Sequence, residues 1–106
     1  MKFAVVNCTA AGDTTIVTGT VGKKIRVYFY NILSSAAVAV TFKSGTTAIT
    51  GPMTMSIGSA ISMGGGDSVP AGLLSVFETQ PGENLVLNLS GIATVGGHIT
   101  YHELSV

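Results

Sequence analysis

From Lys23 to Leu33 the chain carries its longest uninterrupted run of strand-favouring residues, Lys-Lys-Ile-Arg-Val-Tyr-Phe-Tyr-Asn-Ile-Leu. β-Branched and aromatic side chains pack well on a pleated, half-buried surface, so this run predicts a strand. Successive side chains point to opposite faces. Ile25, Val27, Phe29 and Leu33 form one set, broken by Asn31, and predict a core face. Lys24, Arg26, Tyr28, Tyr30 and Ile32 form the other. That second set is too aromatic for open solvent and too charged for a core. It predicts a surface covered by a partner.

Shorter alternating runs lie on either side. Phe3 to Thr9 and Thr14 to Thr18 predict two strands before the long one. Ser34-Ser35 leads into Ala37 to Lys43, where Val38, Val40 and Phe42 share a face. So short a connection predicts an antiparallel hairpin. Ser44-Gly45 predicts a tight turn into Thr46 to Thr50, and Gly51-Pro52 ends that run, since proline cannot donate to a ladder. Met53 to Met63 alternates cleanly and predicts a single strand, with Met53, Met55, Ile57, Ile61 and Met63 on one face. Ile57 and Ile61 are expected in the core. Methionine adapts to contact surfaces, so the Met53–Met55 end is expected to reach a partner.

Gly64 to Gly72 predicts a long loop. Its three consecutive glycines are not a phosphate cradle, because no Lys-Ser or Lys-Thr pair and no helix follow. In Gln80-Pro81-Gly82-Glu83, proline presets φ at the first central position and glycine accepts positive φ at the second, which predicts a type II turn. Leu85, Leu87 and Leu89 alternate with Val86, Asn88 and Ser90, and His98 to Leu104 predicts the closing strand. No window has helical periodicity. The pattern is that of one all-β domain over residues 1–106, an antiparallel β-sandwich.

Composition adds a reason for contact. Only 9% of the residues are charged, against about 25% in an ordinary soluble domain. The formal net charge is zero and the mean hydropathy is +0.56. Such a surface is poorly protected against association, so a homo-oligomer is expected. Five basic and five acidic residues leave no electrostatic footprint for nucleic acid. No apolar run approaches the roughly 20 residues of a membrane-spanning helix, and the start of the chain turns polar too soon for a signal peptide. The lone Cys8 has no disulfide partner and is expected as a small buried apolar residue.

The residues that could carry chemistry are scattered. Four residues of strand separate His98 from His102 by roughly 13 Å, too far to share one zinc at roughly 2 Å from each nitrogen without other help. Asp13, Asp67, Glu78, Glu83 and Glu103 fall in different turns and strands, and no serine is framed as Gly-x-Ser-x-Gly. The expectation is a protein without enzymatic activity, cofactor or metal. Aromatic residues and arginine are enriched at interfaces, so Arg26, Tyr28, Tyr30, Met53, Met55 and Tyr101 are the candidate interface residues. Tyr28 and Tyr30 are also a candidate stacking strip for a sugar, although the chain has no tryptophan and no acidic cluster for calcium.

Several segments carry a likeness. Gly22 to Val27, Val40 to Pro52, Phe77-Glu78-Thr79, Gly82 to Leu85 and Val95 to Tyr101 resemble small virion-associated β proteins of tailed bacteriophages. The resemblance implies a structural role on a virion and, for proteins of this kind that decorate capsids, a jelly-roll-like sandwich of about eight strands and a trimer. The expected role is a capsid decoration (cement) protein, made in the host bacterial cytoplasm and bound to the major capsid protein shell. The alternative is a tail- or fibre-associated adhesin module that binds host glycan or protein.

Overall fold

A computed structural model of the chain describes residues 2–64 and 76–105. Ten strands follow one another: β1 (Lys2–Cys8), β2 (Gly12–Val17), β3 (Lys23–Ser34), β4 (Val38–Ser44), β5 (Thr47–Ala48), β6 (Met53–Met55), β7 (Ala60–Gly64), β8 (Phe77–Glu78), β9 (Leu85–Leu89) and β10 (Val95–Ser105). The first sheet has the order β1-β10-β3-β7, with β8 also on β3. The second has the order β2-β9-β4-β5, with β6 also on β4. Every pairing is antiparallel.

The pairings nest. β1 lies on β10, β2 on β9, β3 on β7 and β8, and β4 on β5 and β6. β7 and β8 take successive lengths of one edge of β3, at Phe29–Leu33 and Arg26–Val27. β6 and β5 divide β4 in the same way, at Val38–Val40 and Lys43–Ser44. Counting each divided edge once leaves four strand positions per sheet. A long hairpin wrapped in this way into two packed sheets is a jelly roll.

The core fills the space between the sheets. Val6, Cys8, Ile25, Val27, Tyr30, Ile32, Val95 and Ile99 enter from the first sheet, and Val40, Phe42, Met55, Leu85, Leu87 and Leu89 from the second. Phe42 bridges the layers, with ring centroids 4.8 Å from Tyr30 and 5.0 Å from Phe77. Such tilted aromatic pairs add about 0.5–1.5 kcal/mol each beyond their burial.

The local turn chemistry appears where the residues predict it. The N–H of Glu83 donates to the carbonyl of Gln80 at 3.1 Å, and Gly82 has φ +80°, as a type II turn requires. Gly45, at φ +58°, turns β4 into β5. Cys8 is fully buried.

Three expectations are corrected. The Ser34-Ser35 connection is not a hairpin, because β3 and β4 lie in different sheets. Stacked sheets sit about 10 Å apart, a gap that the three residues between the strands can span at about 3.3–3.6 Å each. The crossing is held by Ser34, whose buried hydroxyl donates to the Ala36 carbonyl at 2.6 Å.

Met53 to Met63 is likewise two strands in two sheets. Ser56 to Ser59 turns between them, with the N–H of Ser59 on the Ser56 carbonyl at 3.0 Å and Gly58 at φ +74°. Ile57, expected in the core, stands at that turn 78% exposed.

The third correction is in β3. Thr100 of β10 pairs with Phe29, but the next residue, Tyr101, pairs with Val27. Tyr28 is an extra residue, a β-bulge, and the two faces exchange there. Ile25 and Val27 point inward before it; Tyr30, Ile32 and Ser34 point inward after it. The glycine-rich segment expected as a loop, Gly64 to Gly72, lies outside the described residues except for Gly64, which ends β7.

Candidate interaction face

The bulge divides the outer face of the first sheet into a charged part and an apolar part. Lys24 and Arg26 face outward below it. Glu78 on β8 pairs with Arg26 in register and closes both charges: the Lys24 Nζ donates to its Oε1 at 2.8 Å and the Arg26 Nε to its Oε2 at 2.9 Å. These hydrogen bonds hold the Glu78 carboxyl below its ordinary range and push the Arg26 guanidinium up. One carboxylate answers two cations, so the cluster keeps one net positive charge.

Above the bulge the register sets three rows across β1, β10 and β3: Phe3–Thr100–Phe29, Val5–His98–Asn31, and Asn7–Gly96–Leu33. Phe3 is 75% exposed, Val5 78% and Leu33 52%. The His98 ring lies 5.6 Å from that of Phe29. Beside Leu33 a groove of about 590 Å³ opens, lined by Leu33, Ile57 and the glycine backbone of Gly58, Gly96 and Gly97, with Asn31 and Thr94 adding polar groups. Its surface is almost wholly apolar.

The groove is formed by the crossings that sequence periodicity misjudges. Ser34 receives the N–H of Gly58 on its carbonyl at 2.8 Å and donates its own N–H to the Ser59 carbonyl at 3.1 Å. Ser35 donates to the Thr94 carbonyl at 2.9 Å, and its hydroxyl accepts the Thr94 N–H at 3.0 Å. Three connections are thereby laced together at one end of the sandwich, and Ile57 is presented next to Leu33. Gly97 has φ +150°, and a Cβ there would collide with the Asn31 carbonyl oxygen. No other residue fits.

The residues proposed from sequence as an interface lie mostly inside the chain. Tyr30 is 3% exposed, and its hydroxyl donates to the Met53 sulfur at 3.8 Å. Burial pushes the Tyr30 phenol up. Met55 and Tyr101 belong to the core, and Met53 packs against it. Tyr28 is buried at the bulge, and Arg26 is partly buried in its ion pair. For Tyr30 the bulge is the physical reason: it turns Tyr30 inward and Phe29, Asn31 and Leu33 outward. Among the exposed apolar positions that the parity argument misses are Leu33, Ile57 and Met63, together with Phe3 and Val5 on β1. The Phe3-x-Val5 alternation ahead of Val6 and Cys8 is the signal that could have found the last two.

His98 and His102 are both exposed. Among the described residues no group of three or more His, Cys, Asp or Glu side chains could hold a metal ion. The Cys8 thiol is pushed up by burial, partly offset by a hydrogen bond with Thr14. Compared with known protein families, curated proteins and solved structures, the chain has no significant match to any.

Proposed function

We propose that this chain is a non-enzymatic structural protein of a tailed-bacteriophage virion, a decoration (cement) protein that docks on the outer face of the major capsid protein shell. The observation that carries the reading is the exposed apolar face made by Phe3, Val5 and Leu33, with Ile57 and the groove beside it. Exposed large apolar side chains interleaved with His98 and Asn31 on one sheet face fit a contact site of mixed apolar and polar character. The chain's low charge supports a surface that is covered in use. The resemblance of its strand and turn segments to phage virion proteins supplies the identity of the partner, and with it the location on the capsid surface after synthesis in the host cytoplasm.

A groove of this volume is within the range of small-ligand sites, about 300–1,000 Å³. Its lining surface is mainly apolar, which suits the apolar side chains of a protein partner better than a sugar. The test is binding of purified protein to shells that lack it, for the native chain and for Leu33→Asp combined with Ile57→Asp. Both sites are exposed, so the variant stays folded; the proposal expects its shell affinity to fall at least about tenfold, near 1.4 kcal/mol. Equal binding by the two proteins overturns the docking face. Binding to host surface glycan with none to the shell assigns the chain to the tail.

A further inference from the structure

We propose that β1 pairs with the β1 of a second copy of this chain, antiparallel across a two-fold axis through Val5, so that the first sheet runs on from one copy into the other. This inference stands apart from the capsid reading and holds whatever the partner shell is.

An edge strand presents a row of unpaired backbone N–H and C=O groups, and another strand is their natural complement. Among the described residues β1 pairs with β10 alone. Its outward-facing positions add Phe3 and Val5, at 75% and 78% exposure. Chains normally blunt such edges with charge, proline, bulges or shortness, and most other edges among the described residues are blunted, with β7, five residues without charge or register shift, the exception. β2 carries Asp13, in hydrogen bonds with Lys43 and Asn88, and is bulged between Thr15 and Val17. β5, β6 and β8 are two, three and two residues long, and β7 has five. β1 has seven residues, no proline, no register shift and a single charge, Lys2, at one end.

A register centred on Val5 keeps the like charges apart. With Val5 on the axis, Val5 faces its own copy, Phe3 faces Asn7 of the second copy, and Lys2 faces Cys8. The two lysines then stand at opposite ends of the ribbon, roughly 20 Å apart, beyond the Debye length of about 8 Å at physiological salt. The paired edge is about 24 Å long, and pairing it satisfies the open backbone groups of both copies and sets Phe3 and Val5 of each beside the other's strand. The contact is isologous. A strand paired with itself gives a dimer and not the trimer that the phage likeness implies, because a closed trimer needs two different surfaces in contact.

Sedimentation of the full chain over a range of micromolar concentrations, with the native protein and Val5→Lys, tests this. Val5→Lys sets two like charges directly opposite each other, which destabilises a cross-strand pair, while the exposed site leaves the fold intact, as the thermal melt checks. The expected result is a concentration-dependent dimer whose dissociation constant rises at least tenfold in Val5→Lys. In a second variant, Val5→Cys, oxidation is expected to link two copies through the axis. A monomer throughout, a trimer, or a dimer unchanged by Val5→Lys overturns the proposal.

Discussion

Tyr101 of β10 stands opposite Val27 of β3, one residue after Thr100 has stood opposite Phe29. The single extra residue, Tyr28, decides which aromatic side chains hold the sandwich together. Tyr30 lies between the sheets against Phe42, whereas Phe29 faces outward, half-buried. Tyr30→Ala is expected to cost roughly 3–5 kcal/mol of folding stability through lost burial and a cavity. Phe29→Ala is expected to cost about 1 kcal/mol. Urea denaturation of the two variants checks the order, and a larger loss for Phe29→Ala contradicts the bulge.

Gly97 adopts a backbone conformation that L side chains rarely take, and a Cβ there meets the Asn31 carbonyl. Gly97→Ala is expected to destabilise the fold by at least about 2 kcal/mol, or to prevent it. Gly91→Ala is the control, since nothing lies within 4 Å of a Cβ at that position, and it is expected to be near neutral. Thermal melts of both variants distinguish a specific requirement at Gly97 from a general sensitivity to lost glycine.

Much of the sandwich is legible in the sequence. Leu85, Leu87 and Leu89, and Val38, Val40 and Phe42, read onto the core because each strand keeps one register along its length. Pro81-Gly82 reads as a turn because the two residues fix φ by their covalent structure. The bulge at Tyr28 is not legible. β-Branched and aromatic residues stand on both faces of β3, so either phase looks acceptable from sequence. The switch of sheets between Met55 and Ala60 is hidden for a related reason. The turn from Ser56 to Ser59 uses four residues, an even number, and the alternation resumes in phase after it. Parity therefore reads part of the candidate site inside out: it assigns Leu33 and Ile57 to the core and Tyr30 to the surface, while residue type alone suggests an interface for Met55 and Tyr101.

Thr79 ties the type II turn to β3 by two bonds. Its N–H donates to the Ile25 carbonyl at 2.9 Å, and its hydroxyl accepts the Ile25 N–H at 2.9 Å. Thr79 is 2% exposed. Thr79→Val keeps the shape and leaves a buried donor unpaired, and is expected to cost about 1–3 kcal/mol. Thr79→Ser keeps the acceptor and is expected to lose less. Equal losses in the two variants contradict the hydrogen-bonding role.

Acid is expected to weaken the fold in part through Glu78 and Asp13. Both carboxyls are held below their ordinary values, Glu78 by Lys24 and Arg26 and Asp13 by Asn88 and Lys43. A lowered folded-state value means that the stabilisation is present above the unfolded-state value, near 4.5 for Glu and 3.8 for Asp. It is lost as the pH falls through the folded-state value. Both groups are exposed enough for solvent to screen them, so the effect is small. Urea midpoints between pH 6 and pH 3 check this (roughly the window these values set). A Glu78→Gln variant is expected to fall less steeply with acid than the native chain, and an identical slope contradicts the role given to its ion pairs.

The number of copies of this chain in purified virus particles tests the proposed function most directly. Quantitative mass spectrometry, with the major capsid protein of the same particles as the internal standard, gives that number. A decoration protein on the shell is expected at hundreds of copies, in a fixed ratio to the capsid protein. A handful of copies, as for a tail component, or none at all, contradicts the account.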